Sequence, residues 1–222
     1  MKSKKALIFD TGSIITLALN DLLYILKPLK KEFGGEFYIP EPVKRELIDK
    51  PIKTKRFMLE ALIIKSLIRE GILKVVSNKN LVKKTKEILD LANNIFITEG
   101  EWIRLLHEGE ASCLALFDII DAKKKAIIID ERNTRILCEN PENLRKLFEK
   151  KLHKNVRAID EKYYYFKRFK IIRSSELAFI AYKKGIIKLP AKSQSVIRAI
   201  LYATKYKGCA ISNKEIETAK KL

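Results

Sequence analysis

Four acidic residues stand in settings that suit metal chemistry. Asp10 follows the apolar run Ala6-Leu7-Ile8-Phe9, and Asp130 follows Ala126-Ile127-Ile128-Ile129. Glu46 lies in Val43-Lys44-Arg45-Glu46-Leu47-Ile48, and Glu110 in Gly109-Glu110-Ala111-Ser112. A carboxylate just past the end of a buried strand sits where α/β folds place their ligands. Several carboxylates held together repel one another without a cation. A converging set therefore implies a divalent cation with oxygen ligands, Mg2+ or Mn2+. Such a cation lowers the pKa of an attacking water and stabilises a leaving oxygen. In a chain of net charge +19, the substrate that suits this chemistry is a polyanion.

The elements that must position these acids alternate between strand and helix. Residues 6–9 read as a short buried strand, 10–13 as a turn and 14–27 as a helix ending near Pro28. Residues 34–39 return as strand or loop, and Pro42 is placed to open a helix at Val43, which puts Glu46 about one turn in. A helix over 55–70 stops at Gly71, and a strand over 73–76 precedes a helix over 79–92. Thr98-Glu99-Gly100-Glu101 has the spacing of a capping box, which predicts a helix from Thr98 carrying Trp102, Leu105 and Leu106 inward and ending at Gly109. Glu110 then opens the next helix, running to about Asp121. A strand over 126–129, a helix over 132–138, a strand at 171–172 and helices over 176–184 and 193–206 complete the series. The alternation predicts a parallel sheet, and two adjacent parallel strands would end Asp10 and Asp130 at one edge.

Length and composition narrow the function classes. With 222 residues, 47% of them hydrophobic, the chain suits one elaborated domain over 1–222. No apolar stretch reaches membrane-span length. The basic start Met1–Lys5 looks like a signal n-region, but Asp10 interrupts the apolar run and no cleavage site follows, so a cytoplasmic location is expected. Cys113, Cys138 and Cys209 are too few and too far apart for a disulfide framework or a zinc knuckle. The charge is lopsided: residues 141–222 carry 21 Lys and Arg against 7 Asp and Glu. A basic region of that size attracts nucleic acid.

Other chemistries fit less well. Asp10-Thr11-Gly12-Ser13 has the aspartic-protease signature, but that chemistry needs two such loops and one is present. A haloacid-dehalogenase phosphatase needs a second acid where Gly12 stands. The two histidines, His107 and His153, give no reason to be paired as acid and base. Asp118 lies two turns beyond Glu110, so it could only border the site. Tyr163-Tyr164-Tyr165-Phe166 with Lys167, Arg168 and Lys170 mixes rings and cations as single-stranded RNA binders do, although the same alternation suits a core strand.

Taken singly, Glu46 or Glu110 would also suit a solvated helix. In their order and contexts the four acids resemble the PIN-domain family of nucleases. The resemblance rests on the opening strand with Asp10-Thr11, on Val43–Leu47, on Gly109-Glu110-Ala111-Ser112-Cys113-Leu114-Ala115-Leu116 and on Ile128-Ile129-Asp130-Glu131-Arg132-Asn133-Thr134-Arg135. The late segment Ala181–Ile187 resembles a common PIN ending. It covers about residues 5–137 and 168–215 and implies a three-layer α/β/α fold around a central parallel sheet. It also implies a metal-dependent endoribonuclease with Asp10, Glu46, Glu110 and Asp130 as catalytic metal ligands and Glu131 as a further candidate ligand. Thr11 or Ser13 would position a ligand or water by its hydroxyl, and Arg132, Arg135, Lys167, Arg168 and Lys170 would hold RNA. The implied partners are RNA, a second copy of the chain, and an antitoxin or RNA-processing partner, with no membrane. A toxin ribonuclease and a catalytically weak RNA-binding or assembly module are the alternatives. The basic stretch 138–168 departs from the pattern as an insertion, and no zinc ribbon is present.

Overall fold

The computed structural model describes residues 2–190 and 193–219. In chain order it runs β1 (Lys2–Phe9), α1 (Thr11–Ala18), α2 (Leu26–Phe33), β2 (Glu36–Pro40), α3 (Glu41–Lys44), α4 (Lys50–Thr54), α5 (Met58–Arg69), β3 (Leu73–Val76) and α6 (Lys79–Asn93). It continues through β4 (Phe96–Thr98), β5 (Glu101–Trp102), α7 (Glu108–Ile119), β6 (Asp121–Ile128), α8 (Arg132–Glu139) and α9 (Pro141–Leu152). The last part is β7 (Arg157–Ala158), α10 (Asp160–Tyr164), β8 (Ile171–Ile172), α11 (Ser174–Lys183), α12 (Ser193–Tyr206) and α13 (Asn213–Ala219). A π-helical turn, Arg45–Asp49, joins α3 to α4.

The main sheet has the order β3-β2-β1-β6-β8, with every pairing parallel. Helices cover both faces, giving the expected three layers: α7 packs on β1 and β2 with α6 against it, while α5 packs on β3 and α11 on α1. Strands buried on both sides need continuous apolar runs. Ala6, Ile8, Phe9, Ile127, Ile128 and Ile129 supply them, all but inaccessible to solvent. From β1 the chain winds one way to β2 and β3, then jumps to β6 and β8 on the other side. The β1–β6 pair is therefore the point where strand order reverses, and a crevice opens outside its carboxyl ends. Asp10 and Asp130 both stand there, and the Asp10 N–H donates to Ile128 O at 3.0 Å.

Several boundaries differ from the sequence expectations. The helix expected over 14–27 is two helices, α1 and α2, with Pro28 in the first turn of the second. There its missing N–H costs nothing. Thr98 opens no helix. Glu99 and Gly100 take φ of 49° and 87° and turn the chain from β4 into β5, the geometry of a tight hairpin. Trp102 is consequently 45% exposed, although Leu105 and Leu106 are buried as expected. Gly109 stops no helix but lies inside α7, which begins at Glu108. β6 starts at Asp121, because Lys2–Lys5 of β1 supply a partner for its polar half.

The stretch 138–168 is built from local and distant ties. α9 is capped by Asn140, whose side chain accepts from the Asn143 N–H. β7 pairs antiparallel with β4, giving a small second sheet in the order β5-β4-β7. The rings at 163–169 divide by burial: Tyr163, Phe166 and Phe169 are buried and Tyr164 is exposed. No single helix among the described residues is long and apolar enough to cross a membrane.

The C-terminal helices are tied down through Arg173. Its guanidinium donates to Glu176 at 2.9 Å, to Glu215 at 2.7 Å and to Ala210 O at 3.3 Å. Burial alone would raise the Glu215 pKa, but the Ser212 N–H and hydroxyl and the Arg173 guanidinium outweigh it and hold the value down to about 2. A depressed carboxylate stabilises the fold above its unfolded value, and that contribution fades as pH falls through the folded one. Glu215→Gln should therefore lower thermal stability at pH 7, by about 1 kcal/mol for a half-exposed pair. Melting curves should show the gap to wild type closing between pH 4.5 and pH 2.

Candidate active site

Two of the four acids, Asp10 and Glu46, meet beside Gly109, and Glu110 lies within electrostatic reach of both. Asp10 ends β1 and caps α1, its Oδ2 accepting the Gly12 N–H at 3.2 Å. Glu46 projects from the π-helical turn, a local widening that often marks functional positions because it re-aims one side chain. Glu110 occupies the third position of α7 and closes a capping box, its Oε2 accepting the His107 N–H at 2.6 Å. Gly109 lets Asp10 and Glu46 converge. A Cβ there would lie 3.2 Å from Glu46 Oε2 and 3.6 Å from Asp10 Oδ1, so the two carboxylates face the same bare stretch of backbone.

Neighbouring groups fix this arrangement. The Thr11 hydroxyl donates to Glu46 Oε2 at 2.5 Å, tying the start of α1 to the π turn. Arg45 pairs with Glu108 at 2.8 Å, joining the same turn to the start of α7. Beneath the acids, the Cys113 thiol points at Phe9 O, and the Ser112 hydroxyl donates to Gly109 O. The Ser13 hydroxyl is buried and donates to the Asp10 carbonyl at 2.8 Å, so it steadies the turn.

Burial differs across the three acids: Asp10 is buried, Glu110 half-buried and Glu46 exposed. Asp10 is 5% exposed. Burial, the charge of Glu110 and then that of Glu46 push its pKa from 3.8 up to about 7, against the pull of the Gly12 and Thr11 N–H groups. Glu110 is also raised, first by burial and then by Glu131 and Glu46, with the His107 N–H opposing. Glu131 thus borders the cluster electrostatically, while its side chain caps α8 by accepting the Thr134 N–H at 2.6 Å.

Asp130 is used differently. Only 2% exposed, it takes the Ser174 N–H on Oδ1 at 2.8 Å and the Ser174 hydroxyl on Oδ2 at 2.6 Å. It stands at the same sheet edge as Asp10 but holds the start of α11. Sequence reasoning passed over Ser174, which lies 44 residues away and belongs to no acidic motif. Among the basic candidates, Arg132 and Lys170 are exposed and Arg135 pairs with Glu139. Lys167 lies over the Tyr164 ring. Arg168 pairs with Asp118, which also accepts the Tyr165 hydroxyl at 2.7 Å, so Asp118 fastens α7 to the 163–169 turn.

The donor set fits a hard divalent cation in kind: carboxylate oxygens from three elements, with Asp10 and Glu110 both raised above their ordinary pKa. Among the described residues, no group of three or more His, Cys, Asp or Glu side chains stands close enough together to hold a metal ion as placed. A family model described as PIN domain matches residues 6–142. No curated protein and no solved structure matches the chain.

Because the folded pKa of Asp10 lies above its unfolded one, ionising it costs stability. The cost grows as pH rises from about 4 and is complete above about 7. In metal-free solution Asp10→Asn should match wild type at pH 4 and melt higher at pH 8. The difference should be about 2–4 °C for each kcal/mol of repulsion released. Paired melting curves across that range test this, and an Asn variant that melts lower at pH 8 would contradict it.

Proposed function

Since the chain belongs to the PIN-domain family, whose members are generally nucleases that use divalent metal ions, we propose that it is a metal-dependent endoribonuclease. The observation that carries this reading is the approach of Asp10 and Glu46 to one another beside Gly109, from segments far apart in the chain, with Glu110 in electrostatic reach of both. These three carboxylates would hold Mg2+ or Mn2+, with Glu131 at the rim. When bound, the cation supplies Lewis-acid stabilisation of the phosphoryl oxygens and makes water acidic enough to attack near neutral pH. Thr11 keeps Glu46 turned toward the site. Asp130, through Ser174, fixes the helix that closes the β6 end. The net charge of +19, concentrated beyond residue 140, holds the RNA backbone.

One observation favours a second reading, an RNA-binding module with little turnover: both oxygens of Asp130 are occupied by Ser174, leaving three acids at the centre. Such a module would bind RNA in a salt-sensitive way without cutting it.

Incubating an end-labelled single-stranded RNA with the protein and Mg2+ or Mn2+ separates the two. The nuclease reading expects internal cuts that EDTA stops, with Asp10→Asn and Glu46→Gln each slower by on the order of 100-fold or more. Cleavage that persists in EDTA and in both variants would sink the mechanism. Tight binding without cuts would favour the module.

A further inference from the structure

A cleft of about 620 Å³ opens against the acidic site, within the size range of small-molecule sites. Ile15, Leu47 and Ile64 form apolar walls. Thr11 and Glu46, the hydrogen-bonded pair at the edge of the acid cluster, form one side of it. Whatever occupies the cleft therefore lies next to the carboxylates. Phe57 forms another side, a large ring left 46% exposed.

The segment bearing Phe57 is strained. Lys55 and Phe57 have φ of 62° and 61°, a left-handed conformation that an aromatic residue adopts reluctantly. Core burial does not compensate the ring, and strain of this kind collects at ligand sites. The Arg56 guanidinium lies 5.1 Å from the ring centroid. Arg56 and Lys50 both line the cleft, and neither has a carboxylate partner among the described residues. Glu60 is the other acid in the lining. An exposed ring with two cations beside it, bordering a carboxylate centre, matches the chemistry of a base flanked by phosphates. A nucleobase offers a π face to the ring whatever its identity.

We propose that this cleft is a nucleobase subsite, in which one unpaired base of a single-stranded RNA stacks on Phe57 while Arg56 and Lys50 take the adjoining phosphates. The proposal rests on the RNA-cleaving reading above and adds the feature that sets which phosphate reaches the acids. The exposed apolar residues Leu59, Leu62 and Ile63 of α5 do not line the cleft.

The test is binding in an Asp10→Asn background, where RNA stays whole. Fluorescence anisotropy is read with single-stranded octamers of each base and with an octamer lacking bases. Phe57→Gly removes the ring while easing the left-handed backbone, so folding is not at risk. It should cost roughly tenfold in affinity for intact octamers and nothing for the abasic one. Phe57→Trp should keep the affinity, and its fluorescence should be quenched by intact strands alone. Unchanged affinity of Phe57→Gly for intact octamers overturns the subsite, as does a change in oligomeric state without a change in RNA affinity. If the Asp10→Asn chain itself holds none of the octamers, the RNA-cleaving reading falls and the subsite falls with it.

Discussion

Asp10 is buried beside two other carboxylates, and the rest of the structure is arranged around that electrostatic cost. A lone buried acid shifts its pKa and stays neutral. Here Glu110 and Glu46 add to the burial and push Asp10 to about 7. Holding the other two carboxylates near it requires rigid supports. β1 is the central strand of an all-parallel sheet, and its end is fixed by the Asp10 N–H bond to Ile128. α7 presents a glycine where any side chain would press on Glu46. Glu46 stands exposed on the π turn, and the Thr11 hydroxyl holds its carboxylate beside Gly109. A divalent cation would convert the same repulsion into binding energy.

Acid and base are kept apart in the sequence and joined in the fold. The acids lie between residues 10 and 131, within the 6–142 span of the family match, while most of the net positive charge follows residue 140. The later segment nevertheless reaches the site. Ser174 grips Asp130, the Ala210 N–H donates to the Asp130 carbonyl, and the Thr16 hydroxyl donates to Lys207 O. Arg173 in turn fastens α13. The basic C-terminal part therefore braces the sheet edge at which the acids sit.

Much of this was legible in sequence. The apolar runs ending at Asp10 and Asp130 marked two central strands, and the Gly-Glu-Ala segment marked the helix carrying Glu110. What escaped depended on distant partners or on signals with two meanings. Thr98-x-x-Glu101 satisfies the spacing of a capping box, but left-handed Glu99 and Gly100 make it a hairpin, and the distant β7 gives β4 its second neighbour. Gly109 reads locally as a helix stop, and its actual use, close approach by Glu46, appears only once α3 and α7 pack together. Asp130 looked equivalent to Asp10 because both end parallel strands, and nothing nearby in sequence announced Ser174. Charge runs were ambiguous in the same way: Arg168 is spent on Asp118, while Arg132 and Lys170 remain at the surface.

The central claim is that the Asp10 cluster is held in readiness for a divalent cation. The most direct measurement is an NMR titration that follows the Asp10 side-chain carboxyl carbon with and without Mg2+. The account predicts a midpoint near 7 in metal-free solution, falling to the ordinary carboxylate range when Mg2+ is present. A midpoint near 4 without metal, or one that Mg2+ leaves unmoved, would contradict it.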